Sequence, residues 1–88
     1  MSRFSMVFTP FKLKGVTLSN RVVNPPFVVN YATEKGFVTE RLISYHRNIA
    51  RGGAGFSIIG ASAVSVNGFI MSNMTRINHD EYIPGLRD

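Results

Sequence analysis

The 88-residue sequence contains no cysteine and only five acidic residues, and it has no long apolar run. Without cysteine there is no disulfide, no thiolate metal site and no thiol nucleophile, a composition compatible with a reducing cytoplasm. No apolar stretch approaches the roughly 18 residues of a membrane span, and the N-terminus lacks a signal-peptide core. A soluble, cytoplasmic chain with no membrane partner is therefore expected. Nucleotide-binding loops are also missing. Gly52-Gly53-Ala54-Gly55 precedes an apolar run instead of opening a helix, so it is not a dinucleotide fingerprint. There is no P-loop, nucleophile elbow or catalytic triad, no internal repeat and no low-complexity linker. His79-Asp80-Glu81 places ligand-type residues side by side with no partner cluster, which suits a helix start better than a metal site.

What is present is globular in balance, with 44% hydrophobic and 17% charged residues. The net charge of +5 raises the question of nucleic acid. Its ten basic residues are scattered, however, and only Arg41, Arg47 and Arg51 share one region. They read as the solvated face of a helix, and no aromatic stacking platform accompanies them. No nucleic-acid partner is expected.

Along the chain, Met1 to Thr9 reads as an arm ending at Pro10. Lys12 to Leu18 alternates apolar and polar residues about Gly15, the pattern of a hairpin. Arg21 to Asn24 suits a short strand that stops at Pro25-Pro26, because proline cannot donate to a ladder. Asn30 to Phe37 reads as a loop with a turn at Glu34-Lys35-Gly36. A helix is predicted from Thr39 as N-cap to Gly52-Gly53 as stop. Its apolar face carries Leu42, Tyr45, His46, Ile49 and Ala50, and His46 reads as a packed histidine there. Phe56 to Ile59 follows as a strand of the kind covered on both faces in a parallel sheet. Two strands and one and a half helices cannot cover both, so Phe56, Ile58 and Ile59 are expected to stay partly exposed. Residues 61–68 read as a loop of small residues, 69–77 show no clear period, and a second helix starts near Asp80.

The order strand–loop–helix–strand makes one βαβ unit of an α/β fold, and ligands gather at the carboxyl ends of such strands. Pro25 to Val28 is thus where chemistry is expected. The simpler alternative for Pro25-Pro26 is a turn after a strand.

Three runs carry a resemblance to a known family: FTPFKLKGVTLSNRVVNPPF, then YATEKGFVTERLISYHRNIARGGAGFSIIGASAV, then NHDEYIPGL. They resemble the N-terminal part of the old yellow enzyme family, from about Phe8 to Leu86. The telling features are the Asn-Arg before the first strand, the proline at its end, GFVTERL leading into the helix and RGGAGF leaving it. The resemblance implies the N-terminal hairpin and first βαβ portion of an incomplete (β/α)₈ TIM barrel, with residues 1–88 part of one FMN-binding domain.

It also implies FMN as cofactor and NAD(P)H as co-substrate, with hydride passing through the flavin to an activated alkene or similar acceptor. Pro25, Pro26, Phe27 and Val28 are then implied to meet the flavin, largely through backbone, and Ala61 to lie by its carbonyl edge. Asn30 and Tyr31 are candidates for substrate contact, with loop packing as the alternative. Val28 stands where many members have threonine or cysteine, and Gly60 where many have an acidic residue. The family's catalytic residues lie in segments beyond this stretch, so no catalytic residue is assigned within it. The chain alone is expected to be inactive. Its expected partners are FMN and a small substrate in the complete enzyme, and a complementing C-terminal chain or a second copy. The other reading is a non-catalytic chain that works only as an interaction partner.

Overall fold

The computed structural model describes residues 3–88. Of the predicted N-terminal arm, Met1 and Ser2 fall outside the described residues, and Ser5–Phe8 forms a 3₁₀ turn. Strands β1 (Phe11–Leu13) and β2 (Val16–Leu18) pair antiparallel, with Phe11 opposite Leu18 and Leu13 opposite Val16. The hairpin is where the alternation placed it. Its left-handed residue is Lys14, at φ 51°, and not Gly15.

Strand β3 is only Val23–Asn24, shorter than the expected 21–24, because Asn20 and Arg21 are used as fasteners. The Asn20 amide donates to the Gly53 carbonyl at 2.6 Å, while its Oδ1 accepts from Val22 N at 3.0 Å. The Arg21 Nε donates to Thr9 Oγ1 at 3.1 Å, and its guanidinium lies 5.0 Å from the Phe11 ring centroid. The Asn-Arg pair thus ties the helix exit and the hairpin to the start of β3.

Helix α1 (Glu40–Arg51) forms as predicted. Thr39 caps it, accepting from Leu42 N at 3.2 Å, and the chain leaves through Gly52 and a left-handed Gly53 at φ 95°. Strand β4 (Phe56–Ser57) then runs parallel to β3, with Val23 beside Phe56 and Asn24 beside Ser57. The β3–α1–β4 order is a βαβ unit. The expected strand over 56–59 is corrected in its length, while the partial exposure expected for its apolar residues is found. Its ladder spans only two residues, and Phe56, Ile58 and Ile59 are 37%, 42% and 62% exposed. Among the described residues nothing pairs with the outer edge of β4, and its apolar side chains are only partly covered.

The buried apolar residues are Ala32, Leu42, Ala63, Met74 and Tyr82, all away from the sheets. They gather around the segment 73–77, which the sequence left without a period. Ala32 N donates to Asn73 O, Arg76 N to Gly36 O, and Ala63 N to Thr75 O. Ala63 and Arg76 form a parallel bridge. Tyr82, in a 3₁₀ turn (Asp80–Tyr82), stacks on Phe37 at 4.7 Å and donates to Lys35 O at 2.7 Å. Helix α2 (Ile83–Arg87) follows, close against Val38 at Gly85. The radius of gyration is 15.5 Å, with extents of 49 × 25 × 22 Å. A compact chain of this length would have about 12 Å, so this arrangement is drawn out.

His46 is half-buried, and its Nδ1 is enclosed without a hydrogen-bond partner. Burial pushes its pKa below the ordinary histidine value. The unfolded chain therefore binds more protons in acid, so the contribution is complete above about pH 6.5 and is lost as pH falls toward the folded-state value. His46→Leu should flatten the fall in urea midpoint between about pH 7 and pH 5, read by helix circular dichroism. A slope unchanged by the substitution would show that His46 does not carry it.

Gly36 should be the least replaceable glycine in the fold. Its φ is 87°, and an added Cβ would sit 2.3 Å from Arg76 Cγ and 2.8 Å from Arg76 Cβ, atoms too near the backbone to swing away. Gly36→Ala is expected to cost about 2–3 kcal/mol. Gly53→Ala, at φ 95° with nothing within 4 Å, should cost only about 1 kcal/mol. Equal midpoints in urea for the two variants would contradict this ranking.

Candidate functional site

Beyond the two-residue ladder the parallel strands continue side by side as irregular backbone. Ile58 N still donates to Asn24 O at 3.0 Å, and then the pairing ends. Among the described residues, no hydrogen bond reaches the backbone of Phe27, Val28, Val29, Ile59, Gly60 or Ala61. Pro25 and Pro26 have no N–H to offer, so they end the ladder. The two strand ends meet where Gly60 lacks a side chain. A Cβ there would come within 3.4 Å of the Pro26 Cβ. The Gly60–Ala61 peptide is cis.

The predicted residues Phe27, Val28, Asn30, Tyr31 and Ala61 line one cleft, together with Gly60 and Ile59. Pro25 and Pro26 flank it without lining it. Phe27 and Ala61 are exposed, whereas Val28 and Tyr31 are half-buried. The cleft encloses only about 10 Å³, about the space of one water. It is an edge against which a flat group could lie, not a closed pocket.

Asn30 and Tyr31 are held differently from one another. Asn30, at φ 61°, turns its Oδ1 back to accept from Asn73 N at 2.8 Å, which is loop packing. The Tyr31 carbonyl accepts from the Thr39 hydroxyl, so the helix cap also pins the loop. Its ring meets Tyr45 edge-on at 5.9 Å, and the Arg41 guanidinium lies over it at 4.0 Å.

Leu42, His46, Asn73, Met74 and Thr75 also line the cleft. Sequence reasoning placed Leu42 and His46 on the helix's apolar face but assigned neither to the site, and it missed the other three. Residues 73–75 lie in a stretch without periodicity, so no local signal marked them. His46 packs edge-on against Tyr45 at 5.1 Å. A larger groove, about 330 Å³, runs along the apolar face of α1 between Val38, Leu42, Ile43, Ile59 and Leu86. It adjoins the cleft through Leu42, His46, Ile59 and Thr75, with Arg47 and Asp88 also on its lining.

The unpartnered amides and carbonyls of these two segments stay free to meet a group laid against the strand ends. Among the described residues no helix is long and apolar enough to cross a membrane.

Comparison with known proteins identifies the family. The model of the NADH:flavin oxidoreductase / NADH oxidase family matches residues 6–88. A metal reductase of Desulforamulus reducens is 37% identical over 83 residues, covering 94% of this chain and 12% of that protein. An NADH oxidase of Thermoanaerobacter brockii is 34% identical over 86 residues, covering 97% of this chain and 13% of the other. The old yellow enzyme of Trypanosoma cruzi superposes with a TM-score of 0.82 at 30% identity, over 98% of this chain and 23% of its own. The chain thus spans less than a quarter of these relatives, and the matched arrangement is a small α/β part of their fold, with no closed barrel. The complete proteins of this family are flavin-dependent, with FMN as cofactor. The adjoining strand ends, the fastening Asn20-Arg21 pair and the agreement across residues 6–88 lead to one conclusion: the chain belongs to the NADH:flavin oxidoreductase / NADH oxidase family and corresponds to its N-terminal segment.

Proposed function

We propose that this chain supplies the first flavin-facing edge of an FMN-dependent NAD(P)H oxidoreductase of the old yellow enzyme type. In this reading residues 1–88 are the N-terminal part of one TIM-barrel domain. The hairpin of β1 and β2 closes the bottom of the barrel, and β3–α1–β4 is its first βαβ unit. The observation that carries the reading is the pair of unpartnered strand-end backbones, 27–29 and 59–61, meeting at Pro26 and Gly60. Pro25, Pro26, Phe27, Val28 and Ala61 hold the cofactor, and Tyr31 faces the substrate. Asn30 acts on the substrate only through the loop it braces.

The bound FMN would supply the redox chemistry, carrying hydride from a nicotinamide to an activated alkene or similar acceptor. The chain's own residues bind and orient. Backbone N–H groups of Phe27 and Val28 offer donors to a ring edge that becomes electron-rich on reduction. Val28 and Phe27 exclude water from one side, and the absence of a Cβ at residue 60 permits close approach at the other.

The site is an edge, and affinity for a cofactor requires several contacts to offset the ordering costs of association. The remaining barrel strands, in the same or a complementing polypeptide, therefore complete it. Exposed Phe56, Ile58 and Ile59 and the open edge of β4 favour pairing with such a chain, or with a second copy. The other reading, an interaction partner without catalysis, rests on the same exposed surface and requires no flavin.

The 88-residue chain alone is expected to lose FMN during gel filtration. A barrel completed with the downstream part of a family member should elute yellow and with about one flavin per chain. A completed, folded barrel that never retains flavin would favour the interaction-only reading.

In such a completed barrel, Val28→Thr should raise the flavin reduction potential while changing the melting temperature little. The new hydroxyl can donate to the reduced ring, and a charge-assisted hydrogen bond contributes about 1.5–3 kcal/mol at most. An unchanged potential would place residue 28 away from the flavin.

A further inference from the structure

Three arginines in this structure lie over aromatic rings, and one of them differs from the others. Arg21, 5.0 Å from the Phe11 centroid, also donates to Thr9 and to Pro10 O. Arg76, 5.4 Å from the Phe69 centroid, donates to Glu34 O. These two are structural, since their N–H groups are engaged within the chain. Arg41 is the tightest stack, 4.0 Å from the Tyr31 centroid, yet it donates no hydrogen bond to any described residue and meets no carboxylate at ion-pair distance among them.

Helix stability does not account for Arg41 either. It occupies the second position of α1, at the end where the helix dipole disfavours a cation. Its ring platform is anchored independently. The Tyr31 backbone is tied to the Thr39 cap, and Tyr45, one helical turn after Arg41, meets the ring edge-on. A guanidinium laid flat on such a ring keeps all five N–H donors directed outward in its plane. The same Tyr31 lines the cleft with Phe27, Val28 and Ala61.

We propose that Arg41 is an anion-recognition residue at the rim of this cleft, pre-oriented by Tyr31, which selects ligands bearing a carboxylate or phosphate group. A ligand lying along the strand ends would pass the Tyr31 ring and present its oxyanion to the Arg41 fork. The favoured ligand is then an acidic acceptor or a phosphate-bearing nicotinamide, so the proposal deepens the flavin-site reading. It rests on that reading only for the ligand's identity. Anion binding itself needs no flavin.

The test uses the 88-residue chain and its own arginines as controls. The chain is treated with phenylglyoxal, which modifies accessible guanidinium groups, at constant ionic strength set by chloride. Modification of each arginine is read by peptide mass spectrometry, with inorganic pyrophosphate in one arm and succinate in the other. Arg41 should be protected about tenfold, while exposed Arg47 and Arg51 on the same helix change less than about twofold. Protection by pyrophosphate alone assigns the site to phosphate, and protection by succinate alone assigns it to an acidic acceptor.

Tyr31→Leu should abolish the selectivity, and Tyr31→Phe should keep it, with helix circular dichroism unchanged in both. Equal protection of all three arginines, no protection of Arg41, or loss of selectivity in Tyr31→Phe would overturn the proposal. None of these outcomes depends on flavin retention, so a failure here is separable from a failure of the flavin reading.

Discussion

The structure depends on the hydrogen bonds that segment 73–77 makes to both sides. A parallel ladder of two residue pairs supplies very few bonds, each contributing about 1 kcal/mol, and would not hold two strands together unaided. Beyond the ladder, Asn73 and Arg76 bind the loop after β3, while Thr75 and Ile77 bind Ala63 after β4. One segment therefore joins the two loops that leave the strands. The buried residues Ala32, Ala63 and Met74 lie where this join excludes water.

The same constraint shapes the cleft. The join holds the two loops together from below, and the strand ends themselves carry no internal hydrogen bonds. Their amides and carbonyls stay available because the stabilising contacts have been placed one step further along the chain. Helix α1 adds a second fixed point. The Thr39 side chain serves the helix through Leu42 N and the loop through the Tyr31 carbonyl, so a single residue sets the position of Tyr31 relative to Arg41.

Much of the remaining surface is apolar and unpaired. The outer edge of β4, the groove along α1 and the face of the hairpin all present side chains of core type to solvent. At about 25 cal/mol per Å² this is a strong drive toward further strands or another chain. It also explains why the groups at the strand ends form an edge and not a pocket. A barrel's cleft closes only when its later strands arrive.

What the sequence determined by itself was local. Thr39 and Gly52-Gly53 set the limits of α1 through capping and a left-handed exit, and alternation about Lys14-Gly15 set the hairpin. The Pro25-Pro26 stop ended the first parallel strand and, with the family motifs around it, pointed to Phe27, Val28 and Ala61, which line one cleft. These are legible because they depend on neighbours within a few residues. Tertiary structure alone decided the rest. Residues 73–77 act through contacts distant in sequence, as Asn73 does with Asn30 and Thr75 with Ala63, and carry no periodic signature of their own. The same distance hid the placement of Asn73, Met74 and Thr75 in the cleft. By contrast, the exposure of Phe56, Ile58 and Ile59 followed from the count of strands and helices in the sequence and not from their apolar pattern, since burial depends on whether another layer is there to cover them.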